Sequence, residues 1–403
     1  MNSDINNFMN KACLRAVAAL LLMISLSGCW SSEEINNRAF VTMIIVDRTE
    51  NGQTELTLGF PLPNRMIPGQ AGGGGGTTGD PYSFVSKQAG TISEALELIQ
   101  VDISRRISFG QTQVVVIGRR YAEQGIDPLL EFTTRQPAFH ISANIFVTPD
   151  KATEITKTPL VFERFLSDIL SKYISQSQTL DTTVKDFLVA KYKGGDILLP
   201  LLSFTTKPEV GASNPQKNRW LGSSGAAIMS NGKMSDIVMT TEELRGALWL
   251  SSQLRTSVVN VKSPTDGGNV SAIAQDIGTS IKPVIRNGKV SFQVNSRADA
   301  FILSSLSDID LKKPDNLLRL QEVFEKSIAE RMYQVLAKTR KAKSDAFLMS
   351  QYLDWRHPKI WNRMKEDWRE YYATELPIDI SVSIAIKRTG VAYRSIKQEE
   401  SQD

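Results

Sequence analysis

The residues that lead up to Cys29 constrain this chain more than any other feature. Lys11 and Arg15 precede an unbroken apolar run over 16–24. Leu26-Ser27-Gly28 then leads from that run to Cys29. A positive segment, a short apolar segment and small residues are the layout of a secretory signal peptide. The apolar run is shorter than the roughly 20 residues that a membrane-spanning helix needs.

A cysteine directly after small residues distinguishes a bacterial lipoprotein signal from an ordinary one. The cysteine sulfur is alkylated with diacylglycerol before cleavage, and small residues let the bond enter a narrow peptidase site. We therefore predict that residues 1–28 are the lipoprotein signal peptide and that Cys29 carries the lipid. A short signal anchor with a chance cysteine is the alternative, and both Met1 and Met9 fit as the start.

Composition excludes several kinds of site and partner. The cysteines are Cys13 and Cys29, so the cleaved chain can form neither an intramolecular disulfide nor a cysteine-based zinc site. The 403 residues, of which 41% are hydrophobic, suffice for two or three domains. A formal net charge of +4 is small for this length and argues against a nucleic-acid partner.

Residues 29–175 are predicted to form an N-terminal mixed α/β domain. Apolar and alternating runs predict strands over 39–47, 54–60, 114–117 and 141–147. Thr91 and Glu94 have capping-box spacing at the start of an amphipathic helix, and Asp127-Pro128 is predicted to be the N-cap and first turn of the next helix. Strand, helix and strand in this order predict a right-handed parallel crossover.

Residues 176–255 are predicted to form a small middle α/β domain. A predicted helix over 182–191 is followed by a strand over 197–204. Asn231-Gly232 lies between two strand-like runs and predicts a hairpin. Thr241 is predicted to cap a helix that continues through Leu250.

Residues 256–403 are predicted to form a C-terminal α/β domain with a long helix. Asn287-Gly288 predicts a second hairpin, and an apolar stripe after Pro314 predicts the long amphipathic helix. Two shorter helices are predicted over 344–354 and 358–372, and strict alternation over 378–386 predicts a closing antiparallel strand. The predicted fold class is therefore α+β or mixed α/β, with three domains that are each a mixed sheet packed with helices.

The sequence contains no recognisable catalytic set. Residues 74–79 formally match G-x-G-x-x-G, but proline and glycine precede them and Asp80-Pro81 follows, so no strand and helix flank the match. His140 and His357 lie in no recognisable nucleophile setting. We therefore predict no enzyme activity, no cofactor and no metal site.

Several short segments spread along the chain occur together in one family. They are Gly28-Cys29-Trp30, 104–118 (SRRISFGQTQVVVIG), 195–200 (GDILLP), 225–227 (GAA) with 241–246 (TEELRG), and Trp361, Trp368 and Gly390. On these segments the chain resembles the Ger(x)C lipoproteins, the C subunits of spore germinant receptors. Two positions depart from the family pattern. Ser31 follows Cys-Trp where the family usually has Asp, and 344–349 (SDAFLM) replaces a glycine-containing stretch, so we expect the helix there to continue.

The resemblance implies a three-domain, mixed α/β subunit that is lipid-anchored on the outer face of the spore inner membrane. Its partners would be two integral membrane subunits of the same receptor, which nutrients such as amino acids or sugars trigger. The family is not known as an enzyme, and the resemblance leaves open whether this subunit contacts the germinant. The alternative is a lipid-anchored extracytoplasmic solute-binding protein, which would have two similar lobes around a cleft.

Arg105-Arg106 is the charged pair of most interest. It is predicted to end an amphipathic helix, where basic charge complements the helix dipole. The functional alternative is a contact with a membrane subunit or a lipid phosphate. Trp355, Trp361 and Trp368 are predicted to pack in the core or between domains, with an aromatic docking surface as their alternative.

Overall fold

The computed structural model describes Arg15 and residues 34–62, 82–160, 162–194, 196–206 and 219–388. The rest of the predicted signal, Cys29, Ser31, the glycine-rich residues 74–79, Gly195 and Gly390 lie outside these ranges. The strands are β1 (Arg38–Phe40), β2 (Met43–Arg48), β3 (Thr54–Pro61), β4 (Tyr82–Ala89), β5 (Arg106–Ser108), β6 (Val114–Gly118), β7 (Asn144–Thr148), β8 (Ile197–Thr206), β9 (Arg219–Ser230), β10 (Lys233–Thr240), β11 (Thr256–Lys262), β12 (Asn269–Arg286), β13 (Lys289–Ser305) and β14 (Ile378–Arg388). The α-helices are α1 (Ile92–Asp102), α2 (Arg119–Gln124), α3 (Asp127–Arg135), α4 (Leu166–Ser175), α5 (Val184–Tyr192), α6 (Thr241–Leu250), α7 (Pro314–Lys341), α8 (Met349–Arg356), α9 (Pro358–Met364) and α10 (Trp368–Thr374).

The larger sheet has eight strands in the order β10-β9-β8-β7-β6-β2-β3-β4. Its inner strands β8, β7, β6 and β2 pair in parallel, which confirms the predicted parallel pairing of β6 with β7. Every residue of β6 is buried, and its alternate side chains enter two different hydrophobic clusters. The sequence of a parallel strand that is covered on both faces is typically a continuous run of apolar residues. The run Val114–Ile117 is of this kind.

This sheet takes strands from both sides of the boundary predicted after residue 175. β8 begins at Ile197 and pairs with β7, whose last residue is Thr148. The first two predicted segments therefore share one sheet. The smaller sheet, β11-β12-β13-β14, lies wholly within the third segment. The division into three domains remains a prediction.

Both predicted Asn-Gly hairpins are confirmed. Asn231 and Gly232 join β9 to β10 with φ angles of 53° and 75°, and Asn287 and Gly288 join β12 to β13 with 50° and 75°. Two consecutive positive φ angles are what the tight hairpin turns with matching twist require, and asparagine and glycine tolerate them best.

The last strand runs in the direction opposite to the prediction. β14 pairs with β13 in parallel, from Phe292 opposite Ile378 onward, so the antiparallel prediction is wrong. Alternation indicates only that one face of a strand is buried. Strand direction is decided by α7 to α10, which return the chain to the end of the sheet where β13 begins.

Helix starts agree with the sequence to within a few residues. The Thr91 and Glu94 capping box is confirmed. Thr240, and not Thr241, caps α6. The backbone N–H of Glu243, three residues later, donates a hydrogen bond to the hydroxyl oxygen of Thr240. Asp127 is the first residue of α3 and not its N-cap, which is the residue before it. The helix predicted over 182–191 is α5, which begins two residues later.

The C-terminal helices depart more from the prediction. α7 is confirmed, and its apolar stripe is buried. The helix predicted over 344–354 begins only at Met349, and the one predicted over 358–372 is two helices, α9 and α10. Leu348 has a left-handed φ of 53°, so the chain turns there without glycine and the expected continuous helix is wrong.

One hydrophobic core connects the two sheets. It combines Leu198 and Ile228 of the larger sheet, Leu248 of α6, Phe292 of the smaller sheet and Phe324 of α7. Residues of α6 and α7 therefore belong to the same core as residues of both sheets.

Candidate functional site

Arg105 and Arg106 lie where the turn after α1 leads into β5, and both are exposed. α1 ends at Asp102 and has no basic residue in its last turn. The interpretation of this pair as charge that ends the helix is therefore wrong. Arg106 is instead the first residue of β5.

The side chain of Gln100 holds the backbone of this turn. Its Nε2 donates to the carbonyl oxygens of Ile103 at 3.3 Å and Arg105 at 2.9 Å. Its Oε1 accepts a hydrogen bond from the N–H of Ile107 at 3.0 Å. These bonds satisfy backbone groups in the turn between helix and strand. The two arginines are therefore presented from an ordered backbone.

A third arginine joins this pair through strand register. β1 and β5 form a parallel two-stranded sheet in which Arg38 is paired with Arg106. Both arginines line a cavity of about 360 Å³, together with Ile107, Ser108, Phe109, Gln136, Pro137 and Ala138. Sequence reasoning missed Arg38, because no local pattern reports a pairing between residues so far apart. We call Arg38, Arg105 and Arg106 the arginine surface.

Asp345 is buried where the C-terminal helices meet the larger sheet. Its carboxylate accepts hydrogen bonds from the N–H groups of Met349 and Ser350, at 2.8 Å each, and from Nε1 of Trp368 at 2.9 Å. Burial raises the pKa of Asp345 to about 6, although these three hydrogen bonds act in the opposite direction. The carboxylate holds the first turn of α8, which explains how the chain turns at Leu348 without glycine.

Asp196 connects this carboxylate to the larger sheet. Its Oδ2 accepts from the N–H of Asp345 at 2.9 Å, and its Oδ1 accepts from the N–H of Asn231 at 2.9 Å and from Nη2 of Arg369 at 2.8 Å. Arg369 also donates through Nη1 to Oγ of Ser230 at 2.7 Å. We call Asp196, Asp345 and Arg369 the polar seam.

A cavity of about 560 Å³ opens beside the polar seam. Lys193 lies at its wall, forms an ion pair with Asp354 and has its ammonium 6.0 Å from the ring centroid of Trp361. The carboxylates of the polar seam accept hydrogen bonds from N–H groups of the protein itself. Their role in the structure is therefore to connect the C-terminal helices to the larger sheet. Within the described ranges, no three His, Asp, Glu or Cys side chains are grouped so that they could hold a metal ion.

The two histidines and Trp355 lie apart from both sites, whereas Trp361 and Trp368 line the cavity beside the polar seam. His140 is exposed in the turn before β7, and His357 is the N-cap residue of α9, as a helix start predicts. Trp361 and Trp368 are buried with ring centroids 5.5 Å apart, but Trp355 is 67% exposed and does not belong to the core. Of the helices in the described part of the chain, none is long and apolar enough to cross a membrane.

Comparisons with known sequences match almost the whole chain beyond Cys29. A family model described as "Spore germination protein N-terminal domain" matches residues 31–204, and one described as "Spore germination B3/ GerAC like, C-terminal" matches 224–390. Spore germination protein KC of Bacillus subtilis (strain 168) is 28% identical over 414 residues, which cover 98% of this chain and 100% of that protein. Spore germination protein GerQC of Bacillus cereus is 21% identical over 384 residues, covering 94% and 99%.

The fold has a counterpart among solved structures. The crystal structure of the GerBC protein superposes with a TM-score of 0.54 and 17% identity, over 85% of this chain and 96% of that chain. Identity at this level supports the fold alone, whereas the two family models follow one another in the same chain and contain most of the segments that carried the resemblance. The chain belongs to the Ger(x)C family of spore germination proteins.

Proposed function

We propose that this chain is the lipid-anchored C subunit of a spore nutrient germinant receptor, held on the outer face of the spore inner membrane. In this role it supports the germination response by assembling with two integral membrane subunits. The observation that carries the proposal is the consecutive pair of family matches, from residue 31 to residue 390. Whether the chain contacts the germinant itself is not part of the proposal.

The proposed anchor is diacylglycerol on Cys29. Each buried methylene of an acyl chain contributes about 0.8 kcal/mol, and two chains give stable anchoring where one does not. The first family match begins two residues after Cys29, so the part of the chain that matches the family would start directly at the membrane surface.

Docking on the integral subunits need not be tight in free solution. Confinement to one membrane raises the effective concentration of each partner, so that weak contacts suffice. We place one such contact at Arg105 and Arg106, which are exposed on an ordered turn. A guanidinium is suited to this task because it donates several hydrogen bonds in a fixed plane.

A lipid-anchored solute-binding protein agrees less well with the architecture. Such proteins close two similar lobes around a ligand. Here the two main sheets differ in size and strand order, with eight strands in one and four in the other. We likewise propose no enzymatic activity, because the family is not known as one of enzymes and neither histidine lies at the arginine surface or the polar seam.

Substitution of Cys29 tests the anchor and the function together. Cys29→Ala should move the protein out of the membrane fraction and reduce nutrient-triggered germination, while germination by a receptor-independent trigger stays normal. Cys13→Ala is the matched control and should behave as wild type, because Cys13 lies in the predicted signal. Intact-mass measurement of the native protein reads the modification directly.

Two results would contradict the proposal at different points. An unmodified Cys29 thiol in membrane-bound native protein would disprove the lipid anchor alone. Normal germination on every nutrient, in a strain that lacks this protein and its paralogues, would disprove the receptor role.

A further inference from the structure

We propose that the exposed rings of Tyr192 and Trp355, with the basic residues beside them, lie in the headgroup region of the membrane and orient the protein on it. The inference goes beyond the proposed function but rests on its lipid anchor at Cys29. Tyr192 is 87% exposed and Trp355 is 67% exposed. Exposed tyrosine and tryptophan are the side chains that concentrate at membrane–water interfaces, because each has an apolar ring and a polar group.

The chain enters the fold at one edge of the larger sheet. β2, β6, β7 and β8 pair in parallel, so all four begin at the same edge, which we call the amino edge. β1 and β5 pair in parallel just upstream of β2 and β6 and therefore extend this edge. Arg38, the first residue of β1, lies nine residues after Cys29, and a chain of that length spans about 30 Å at most. A lipid on Cys29 therefore holds the amino edge close to the bilayer.

Tyr192 and Trp355 belong to this same edge. α5 ends at Tyr192, five residues before β8 begins. The ion pair between Lys193 and Asp354 places the neighbouring Trp355 beside that turn. β8 is the third neighbour of β2 in the sheet, so three strand spacings put the start of β8 about 14 Å from the start of β2. The rings are therefore on the side of the protein that the anchor turns toward the membrane.

The charge beside these rings is complementary to an anionic bilayer. The acidic and basic residues between Trp355 and Glu366 are all basic and all exposed: Arg356, Lys359, Arg363 and Lys365. Lys359 and Arg363 are four residues apart in α9, so they share the face opposite the buried Trp361. Lys365 and Tyr192 line the same cavity, which brings the basic residues next to the rings. Basic residues attract anionic headgroups within about 8 Å at physiological ionic strength.

The opposite edge of the sheet supplies matched controls. Trp220 in β9 is paired with Thr205, near the end of β8, so it lies where the parallel strands end. Exposed cations are present at that edge as well, since Arg120 follows β6 and Lys151 follows β7. Lys172 lines a cavity together with Trp220. An aromatic or basic residue at this edge should not reach the membrane.

Quenching of tryptophan fluorescence tests the inference on the mature lipoprotein. The protein is placed in nanodiscs that contain phosphatidylglycerol and lipids brominated near the headgroup end of the acyl chain. Trp355→Phe should remove about half of the quenched emission, because Trp30, which follows the anchored residue, supplies the rest. Trp220→Phe should leave the quenched emission unchanged. The emission lost on replacing Trp355 is called the Trp355 share below.

Charge variants test the role of the basic residues. Arg356→Gln, Lys359→Gln and Arg363→Gln together should lower the Trp355 share severalfold at physiological salt. The matched variant at the opposite edge, Arg120→Gln, Lys151→Gln and Lys172→Gln, should leave it as in the wild type. Both sets remove three exposed cations, so the net charge of the protein changes equally.

A contrary result can take three forms. Quenched emission that Trp355→Phe does not change would overturn the proposal, and weaker assembly of Trp355→Ser with the integral subunits would then assign the surface to a protein partner. A Trp355 share that survives in the basic-residue variant would overturn the contact with anionic lipid. A free Cys29 thiol in the native protein would disprove the anchor. In that case the Trp355 share of the full chain, mixed with brominated vesicles of the same composition, still decides whether this surface contacts the bilayer.

Discussion

Asp345 shows how one buried carboxylate makes a turn possible and makes stability depend on pH. Its pKa is raised from 3.8 to about 6, chiefly because burial penalises the charged form. A carboxyl whose pKa is higher in the folded than in the unfolded protein stabilises the fold fully at low pH, below about 4. That contribution is lost as the pH rises through about 6, and a shift of this size corresponds to about 3 kcal/mol at most.

The variant Asp345→Asn isolates this effect, because the amide has nearly the same shape and does not titrate. We expect the free energy of unfolding of the wild type, minus that of the variant, to fall as the pH rises from 4.5 to 7.5. Urea unfolding followed by tryptophan fluorescence at several pH values measures this difference. A difference that does not change with pH would show that Asp345 keeps its ordinary pKa in the folded protein.

Gly118 shows why a glycine ends the buried run of β6. A Cβ atom at this position would lie 1.9 Å from Oδ1 of Asp47. That carboxylate is buried and accepts hydrogen bonds from the N–H groups of Ala152 at 2.7 Å and Thr153 at 2.9 Å. The glycine is therefore required by a close approach and not by its own turn, since its φ is an ordinary −72°.

At the scale of elements, α6 and α7 cross at a glycine. A Cβ atom on Gly246 would lie 2.8 Å from the carbonyl oxygen of Arg331 and 2.9 Å from Cγ2 of Val335. Both contacts are with α7, and the first is with its backbone, which cannot move without displacing the helix. The glycine in the segment 241–246 thus sets the distance between the two helices that join the sheets.

We expect Gly246→Ala to lower the free energy of unfolding by about 1–3 kcal/mol, the usual cost of overpacking a core. This loss should appear even though alanine is the better helix former by about 1 kcal/mol. Gly278→Ala is the control, because the nearest atom to its added Cβ is Nε of Arg297 at 3.9 Å, and its change should stay within about 0.5 kcal/mol. Equal urea midpoints for the two variants would show that the helices separate freely.

At the scale of the whole molecule, the polar seam fastens the larger sheet to the C-terminal helices. Asp196 stands just before β8, whereas its partners Asp345 and Arg369 belong to the helical segment more than a hundred residues later. Asp196 lies in the segment 195–200, one of those that carried the family resemblance. Its role in the structure is to accept hydrogen bonds from three separate parts of the chain.

Asp196→Ala should lower the free energy of unfolding by about 3 kcal/mol, because it leaves the buried N–H of Asp345 without its acceptor and removes the carboxylate that pairs with Arg369. The same change should speed hydrogen exchange at 344–350. Glu370→Ala provides a control, since its ion pair with Lys343 at 2.8 Å is exposed on both sides, and such pairs contribute about 0.5 kcal/mol. A loss no larger for the Asp196 variant than for this control would show that the seam does not hold the two parts together.

The sequence by itself determined several local features of the described residues and the family of the chain. Asn-Gly pairs predicted both hairpins, because few other residues adopt consecutive positive φ angles. The run Val114–Ile117 predicted a buried strand, the order of strand, helix and strand predicted its parallel pairing with β7, and the stripe after Pro314 predicted α7. Each of these signals depends on residues close together in the chain. The short segments in the order of the Ger(x)C family carried the resemblance that the comparisons confirm.

Tertiary structure decided what depends on distant residues. The direction of β14 is set by the helices before it, and the nearness of Arg38 to Arg106 is set by strand pairing. The turn at Leu348 is stabilised by hydrogen bonds to a buried Asp345, which overrides the helical pattern of its neighbours. Periodicity reports which face of an element is buried. It cannot report which other element covers that face, because that choice depends on the free energy of the whole packed arrangement.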